Sequence, residues 1–256
     1  MIFKHPLYKK IKMSIKLTMH VESYDVQPNG NIKISSLLKM LQKAAGDDVN
    51  RTDLNFFALS EKRIAFVLTK MTVKIIKDIK IYSDVEIVSH PRNVRGASFP
   101  RDFIISVNGE IAAYARSMWV LLDLDKRTIL RPSALDEIGS LPPSDEDLFE
   151  IADVRRIVDE NSLLRTNVLR VEYSHLDMNN HLNNTFYSDF VFNCINPDVH
   201  ESDAGLYLQI NYKAEARLGD ELEIYCSSDN GVYDISAKNP CGDKVCFTAY
   251  VSFNVD

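Results

Sequence analysis

The chain has 256 residues, of which 45% are hydrophobic and 26% charged, with a formal net charge of −6. This composition is typical of an ordinary globular protein, and the length allows one large domain or two modest ones. The negative charge argues against a nucleic-acid partner, and no apolar run of about 18 residues predicts a membrane helix. Residues 1–15 lack the apolar core of a signal peptide, so we expect an N-terminal extension on a cytoplasmic protein.

The first half predicts one long helix followed by long strands. A strand over residues 16–24 precedes the turn-rich segment DVQPNGN and a helix that we expect to be capped at Ser35 or Ser36. From Arg63 onward, β-branched residues and an Asn-Gly turn signal predict an antiparallel meander. An antiparallel sheet wrapped around a helix is the hotdog arrangement. The helix has an apolar face at helical spacing, formed by Leu37, Leu38, Leu41, Ala44 and Ala45.

A composition break then separates two similar halves. Residues 134–162 contain two prolines, many acids and little strand signal, which predicts a linker. After this linker the order of strand, loop, helix and strands repeats, which indicates an internal duplication. We therefore expect an α+β protein with two tandem hotdog domains, 16–133 and 163–256, each an antiparallel sheet around a central helix. The two domains are expected to pair within one chain, as single-hotdog subunits pair in dimers.

The densest group of reactive side chains lies in the segment VEYSHLDMNNHLNNTFYSDF of the second half. Asp177, Asn179 and His181 stand at i, i+2 and i+4, a spacing that puts them on one face of an extended segment. Asn183 and Asn184, immediately downstream, are good N-caps for the helix that follows. We therefore expect the polar trio at the mouth of a helix whose free N–H groups favour an anion or an oxyanion.

Other reactive arrangements have no support in the sequence. No serine lies in a G-x-S-x-G elbow, which leaves a Ser-His-Asp hydrolase unsupported. His175 and His181 lack the Cys or Glu partners of a zinc finger or zincin, so we expect no metal. Four cysteines fit no zinc spacing and are expected to be reduced structural thiols: Cys194, Cys226, Cys241 and Cys246.

Three segments together resemble one family. DMNNHLNN resembles the D-x-N-x-H-x-N-N signature of bacterial acyl-acyl-carrier-protein thioesterases, the double hotdog enzymes that release fatty acids from the carrier. The segment YKAE, from Tyr212 to Glu215, is similar to a second landmark, a Tyr followed three residues later by Glu after the central helix. Trp119, within SMWVLLDLDKRTILRPS, looks like the Trp-containing strand and basic turn that close the family's first hotdog. The resemblance covers roughly residues 16–254.

The resemblance implies a reaction and a set of residues. The activity would be hydrolysis of an acyl-carrier thioester to free fatty acid and holo-carrier in fatty acid biosynthesis, with no cofactor. The catalytic set would be Asp177, Asn179, His181 and Glu215. Helix N-terminal amides near Asn184 would hold the oxyanion.

The residues leave two points of mechanism open. The Asp177 carboxylate could attack the thioester directly, or Glu215 could activate a water; we favour water attack because it needs no anhydride. Ala216 occupies the position where the family often has Cys, which argues against a thiol nucleophile. In LYLQINYKAE polar and apolar residues alternate, so a regular strand would point Glu215 away from the apolar face unless the strand bulges or ends there.

The first half lacks the reactive trio, so we expect it to hold the acyl chain. The predicted substrate-binding residues are Met40, Phe56, Phe57 and Trp119, together with Asn184. The expected partner is an acidic acyl carrier protein, which a protein of net charge −6 can attract only through a local basic patch. We expect that patch among Arg92, Arg95, Arg101, Arg155 and Arg156.

Two other functions compete with this interpretation. An acyl-CoA thioesterase would break the same bond on a nucleotide carrier, and hotdog proteins need no Gly-rich phosphate loop for it. A non-catalytic acyl-thioester-binding regulator would need a DNA-binding extension or a basic surface, which the net charge of −6 opposes. No nucleic-acid or membrane partner is expected, and a homodimer is compatible with the sequence.

Overall fold

The computed structural model describes residues 14–139, 148–154, 163–195 and 203–253. Within these ranges the chain forms an eleven-stranded sheet and three α-helices. The first-half strands are β1 (Ile15–His20), β2 (Ile64–Ile75), β3 (Asp84–Pro91), β4 (Ser98–Val107), β5 (Glu110–Asp123) and β6 (Thr128–Leu130). The second-half strands are β7 (Leu164–Arg170), β8 (Tyr207–Tyr212), β9 (Glu221–Asp229), β10 (Val232–Asn239) and β11 (Lys244–Ser252). The helices are α1 (Ile34–Asn50), α2 (Phe56–Glu61) and α3 (Phe186–Phe192).

The sheet is continuous across both halves of the chain. Its strand order is β1-β3-β4-β5-β2-β8-β11-β10-β9-β7, with β6 paired to β5. From its edge inward, the first half has the order β1-β3-β4-β5-β2 and the second half has the order β7-β9-β10-β11-β8, so corresponding strands occupy corresponding places. The two halves join where β2 pairs with β8. Every one of these pairings is antiparallel. The structure therefore confirms the predicted antiparallel sheet with few helices.

The long helix α1 is amphipathic, as its sequence predicts. Leu37, Leu41 and Ala44 are fully buried, and the helix packs against β1 and β3. The predicted cap is wrong: α1 begins at Ile34, and Ser35 lies within the first turn. None of the described helices combines the length and the hydropathy needed to cross a membrane.

The helices of the two halves contact each other, which explains why Ser35 does not cap α1. The Ser35 side chain is buried and hydrogen-bonds Asp189 on α3. Burial raises the pKa of the Asp189 carboxyl, and the Ser35 hydrogen bond opposes that effect. The Lys39 ammonium lies 5.3 Å from the centre of the Phe186 ring. These contacts fix the face that α1 turns toward the second half.

Residues 148–154, which we call the strap, lie within the predicted linker and pack across the outer face of the sheet. The strap begins against the first half, where Leu148 is buried with Val88 and Ile104. It then reaches the second half, where the Gln209 side chain accepts a hydrogen bond from Val154 N (3.0 Å) and donates one to Val154 O (2.9 Å). The strap therefore covers both halves on the side away from the helices.

A buried carboxylate, Asp203, also connects the halves. The Gln27 amide donates to both Asp203 oxygens, at 3.3 and 3.2 Å. The Asp78 carboxylate accepts hydrogen bonds from the backbone N–H groups of Asp203 (2.9 Å) and Ala204 (3.2 Å). Burial, with a further contribution from the Asp78 charge, raises the pKa of Asp203 to about 6, while Gln27 lowers it.

Replacing Asp203 by Asn should remove part of the pH dependence of stability. The folded-state pKa of Asp203, about 6, lies above its ordinary value of 3.8, so the folded protein holds a proton that the unfolded chain releases. This group should therefore stabilise the fold fully below about pH 4 and lose about 3 kcal/mol of that contribution as the pH rises through about 6. Asp203→Asn cannot ionise and should lack this fall.

Urea unfolding between about pH 4 and about pH 7 measures the effect. Asp229→Asn, which neutralises an exposed carboxylate on β9, is the control and should keep the wild-type slope. The prediction is contradicted if Asp203→Asn and wild type lose stability equally over this range.

Candidate active site

The segment that carries the polar trio is a closed turn. Leu176 and Leu182 form an antiparallel bridge, and Asp177 N donates to His181 O at 2.8 Å. Between them Asn180 adopts a left-handed conformation, with φ of 60°, which Asn tolerates better than most residues. The predicted extended segment is therefore wrong, because the chain reverses direction inside it.

The Asp177 carboxylate holds this turn together. Its Oδ1 atom accepts hydrogen bonds from Asn179 N (2.8 Å) and His181 N (3.2 Å). Its Oδ2 atom accepts one from the Asn179 side-chain amide at 3.3 Å. The carboxylate thus fixes the positions of the other two members of the trio.

Glu215 meets the His181 imidazole beside this turn. Strand β8 ends at Tyr212, so the alternation of the strand does not determine the direction of the Glu215 side chain. A backbone bridge between His181 and Arg217 brings the two segments together. The Glu215 Oε2 atom lies 3.3 Å from His181 Nε2, and the two side chains are 31% and 21% exposed. The structure therefore joins the four residues of the predicted catalytic set in one place.

The sequence did not reveal a further partner of Glu215. Arg127, in the turn between β5 and β6, places its Nη2 atom 2.5 Å from Glu215 Oε2. This hydrogen bond raises the pKa of Arg127. The sequence places Arg127 in the basic turn after Trp119, but no sequence pattern connects this turn to Glu215.

A narrow apolar crevice lies between the two halves of the chain, and Asn184 and Thr185, just after the turn that carries the trio, are among its lining residues. Most of its walls come from the first half, including Leu41 and Ala45 of α1, Met71 of β2 and Trp119 of β5. The second half contributes Asn184 and Tyr212, and the Tyr212 hydroxyl donates to Asn184 O at 3.3 Å. These two residues lie three positions after His181 and three before Glu215.

Two of the five predicted substrate-binding residues, Asn184 and Trp119, line this crevice. Met40 is buried in the core and is not among the lining residues. Phe56 and Phe57 are 50% and 76% exposed on α2, because this six-residue helix buries only Leu59. The structure does not bring Met40, Phe56 or Phe57 to the crevice.

Helix α3 begins later than the sequence predicted. Its first residue is Phe186 and its N-cap position is Thr185. The Asn183 side chain accepts hydrogen bonds from Thr185 N and Oγ1, both at 3.0 Å, and so orders the entry to the helix. Tyr187, which the sequence analysis missed, is buried beneath the site and hydrogen-bonds the Ala216 backbone, while burial raises the pKa of its phenol.

The first half contains a turn with the same backbone pairing but different side chains. Its bridges, Val26↔Ile32 and Asn31↔Lys80, match the bridges Leu176↔Leu182 and His181↔Arg217. Leu182 N donates to Ala216 O just as Ile32 N donates to Ile79 O, each at 2.8 Å. By this correspondence Gln27, Asn31 and Asp78 occupy the positions of Asp177, His181 and Glu215. The first-half turn thus has no imidazole at the position of His181.

Two arginines predicted to form the docking patch are buried in ion pairs, which corrects that prediction. Arg92 contacts Asp102 at 3.1 Å, and Arg101 contacts Asp48 at 2.6 Å. Burial lowers the pKa of Arg101, although Asp48 opposes this effect. Arg95 is exposed. Arg155 and Arg156 lie outside the described residues.

Three of the cysteines have thiols with raised pKa values, and the described ranges contain no group that could hold a metal ion. Burial raises the pKa values of Cys226 and Cys246 to about 11 each, so both thiols stay protonated near neutral pH and are poor nucleophiles. Burial also raises the pKa of Cys194. Among the described residues, no group of three or more His, Cys, Asp or Glu side chains is arranged to hold a metal ion.

Each half of the chain matches one domain of a known protein family. Residues 12–138 match the family model described as the acyl-ACP thioesterase N-terminal domain, and residues 160–241 match the acyl-ACP thioesterase C-terminal domain. The chain therefore belongs to the acyl-ACP thioesterase family.

Relatives and solved structures agree with this membership. Oleoyl-acyl carrier protein thioesterase 2 of Arabidopsis thaliana, a chloroplastic protein, is 24% identical over 84% of this chain, which spans 63% of the plant protein's length. An acyl-ACP thioesterase from Bacteroides thetaiotaomicron has a TM-score of 0.80 at 21% identity, covering 94% of this chain and 98% of that one. The 12:0-ACP thioesterase of Umbellularia californica has a TM-score of 0.76 at 17% identity, covering 94% and 97%. These structural likenesses establish the shared fold.

The role of Asp177 in the turn predicts different effects for two substitutions. Asp177→Asn keeps one oxygen that can accept the backbone hydrogen bonds, so its free energy of unfolding should stay within about 1 kcal/mol of wild type. Asp177→Ala loses all three hydrogen bonds and should destabilise the protein by about 1–3 kcal/mol. Urea unfolding measures both; equal stabilities for the two variants would contradict the turn-holding role.

Proposed function

We propose that this protein hydrolyses the thioester of a fatty acyl group on an acyl carrier protein, giving free fatty acid and holo-carrier in fatty acid biosynthesis. One observation carries the proposal: the His181–Glu215 pair, 3.3 Å apart, belongs to the same two segments of the chain that help to line an apolar crevice. The segments that carry this pair also supply Asn184 and Tyr212 to the crevice. Membership of the acyl-ACP thioesterase family supports the same reaction.

The domain arrangement that we propose is two tandem hotdogs over 16–133 and 163–256, joined by the linker 134–162. The matching turns of the two halves and the separate matches to an N-terminal and a C-terminal family domain support it. In this arrangement the first hotdog forms most of the acyl pocket and the second supplies the reactive groups. A cytoplasmic location remains part of the proposal.

In the proposed mechanism the acyl chain enters the crevice and its carbonyl stops near Asn184. Glu215, held by His181, takes a proton from a water molecule while the water oxygen attacks the carbonyl carbon. The backbone N–H of Asn184 is the proposed donor to the oxyanion. When the tetrahedral intermediate collapses, the carbon–sulfur bond breaks and the leaving thiolate takes up the proton. Asp177 maintains the turn that aims His181 at Glu215.

The proposed partner is an acidic acyl carrier protein that docks through local positive charge. Of the five arginines predicted for this role, Arg95 is the exposed one among the described residues. If charge steers docking, the KM for an acyl-carrier substrate rises with salt concentration, because salt screens the attraction.

A single assay tests the function against its alternatives. The purified protein is incubated with one acyl chain on three carriers: acyl carrier protein, coenzyme A and a short synthetic thiol, and free thiol is measured. The proposal predicts the highest kcat/KM with acyl carrier protein. A preference for coenzyme A would make the protein an acyl-CoA thioesterase, and binding without thiol release would make it a non-catalytic acyl-thioester-binding protein.

Removing the reactive groups should abolish most turnover. Asp177→Ala, His181→Ala and Glu215→Gln should each lower kcat by about 10²-fold or more, because each removes the base or a group that positions it, and a positioned base contributes about 10²–10⁴. Gln27→Ala, at the position of Asp177 in the first-half turn, is the matched control and should keep kcat near wild type. Steady-state kinetics with folding checked by circular dichroism decides the outcome; near-normal kcat in Glu215→Gln would rule out its role as base.

Oxygen-18 labelling separates the two routes of attack. Water attack puts label from ¹⁸O-water directly into the released fatty acid and leaves the protein unlabelled. Attack by Asp177 would form an anhydride and put label into that carboxylate over repeated turnovers. Mass spectrometry of the peptide that contains Asp177 distinguishes them, and label found there would overturn the water mechanism.

The lining of the crevice should set the preferred chain length. Ala45→Leu adds bulk to the wall and should shift the released fatty acids toward chains shorter by about two carbons, since each buried CH₂ is worth about 0.8 kcal/mol. Phe57→Ala, on the exposed face of α2, serves as the control and should leave the profile unchanged. Chromatography of the released acids gives the profile; a folded Ala45→Leu variant with the wild-type profile would place the acyl chain elsewhere.

A further inference from the structure

We infer that Arg127, which belongs to the first half, is a positioning residue for Glu215, so that the reactive site of the second half is completed by the first. This inference rests on the proposed hydrolytic function and adds a residue that acts through Glu215. The contact joins side chains 88 positions apart in the sequence.

The contacts of Glu215 converge on one of its two oxygens. Oε2 is the oxygen nearest to Arg127 Nη2 (2.5 Å), to His181 Nε2 (3.3 Å) and to Arg217 Nη2 (4.0 Å). Arg127 makes the shortest of these contacts, and a charge-assisted hydrogen bond of this kind is directional. With Oε2 held by Arg127 and His181, the Oε1 atom is oriented for the proton that the reaction transfers.

The turn that carries Arg127 is itself well ordered. The Asp123 side chain accepts hydrogen bonds from Asp125 N (3.0 Å) and Lys126 N (2.8 Å), and Arg127 N donates to Asp123 O at 2.9 Å. Arg127 adopts a left-handed backbone conformation, with φ of 55°, which is strained for a non-glycine residue. The Arg127 guanidinium extends from this turn to Glu215.

The neighbouring Lys126 provides an internal comparison. It carries the same charge in the same turn, yet its side chain is 78% exposed and forms an ion pair with Asp123 at 3.8 Å. The Arg127 side chain is 49% exposed and contacts Glu215. Removal of either residue changes the net charge equally, but only removal of Arg127 breaks the contact with Glu215.

This difference separates positioning from carrier docking. If Arg127 positions Glu215, its loss leaves the carboxylate free to rotate on His181 and lowers turnover of bound substrate. If Arg127 only attracts an anionic carrier, its loss raises KM, and the loss of Lys126 does the same. The two roles therefore differ in whether kcat or KM changes.

The test compares Arg127→Ala, Arg127→Lys and Lys126→Ala with wild type on an acyl-carrier substrate at low and high salt. Arg127→Ala should lower kcat about 10–100-fold, in the range of a misplaced catalytic group, with KM within about twofold of wild type. Arg127→Lys should recover part of the loss, and Lys126→Ala should match wild-type kcat. In a Glu215→Gln background, Arg127→Ala should cause no further loss, because Gln cannot act as the base that Arg127 positions.

A pH profile adds a readout that a purely structural role would not move. The Glu215 carboxylate faces Arg127, His181 and Arg217. Arg127→Ala removes one of these positive charges, so the acidic limb of its kcat–pH profile should shift to higher pH. Wild-type kcat in Arg127→Ala, or equal rises in KM for Arg127→Ala and Lys126→Ala with kcat unchanged, would overturn the inference.

Failure of the proposed function can be recognised separately. If wild type releases no thiol from any acyl thioester, the hydrolytic function is wrong, and the Arg127 contact is then judged by the NMR chemical shifts of the His181 ring protons at one fixed pH. These shifts should change in Arg127→Ala, because Glu215 is no longer held against the imidazole, and should change less in Lys126→Ala. Equal shifts in wild type and Arg127→Ala would exclude the positioning role.

Discussion

The backbone pairing of β2 with β8 is the constraint on which the rest of the structure depends. Lys70 to Lys74 of β2 lie opposite Asn211 to Tyr207 of β8, so two similar sets of strands become one antiparallel sheet. Because β5 lies on the other side of β2, its hairpin turn comes close to the segment that follows β8. The crevice and the contact between Arg127 and Glu215 both follow from this pairing, since each draws residues from both halves.

The two halves contain turns with the same backbone pattern but with different side chains. In the second half, His181 is partly exposed and reaches Glu215, where a substrate can approach. In the first half, Asn31 is fully buried at the corresponding position, and Asp78 there holds the backbone of the segment around Asp203. The same backbone turn therefore carries a partly exposed imidazole paired with a carboxylate in the second half, and buried side chains that connect the halves in the first.

Sequence periodicity predicted the long helix, the antiparallel strands and the polar trio, because these depend on neighbours within one segment. It failed where partners from distant segments decide the outcome. Ser35 has the chemistry of a cap but binds Asp189 of the other helix. The i, i+2, i+4 spacing fits both an extended segment and a turn, and the left-handed backbone at Asn180 selects the turn. No local pattern could join Arg127 to Glu215, since the two meet only through the order of strands in the sheet.

The strap has a consequence for how the polypeptide could be divided. Leu148 packs on the first half, and Val154 is hydrogen-bonded to Gln209 of β8 in the second half. Along the chain, the strap lies between the two halves. A cut between Gly139 and Leu148 would leave the strap on the C-terminal fragment. Leu148 would still pack against Val88 and Ile104 of the N-terminal fragment, and the β2–β8 pairing would still join the two fragments. The two fragments should therefore co-purify as a nicked heterodimer, and the halves could be produced as separate polypeptides that reassemble by complementation.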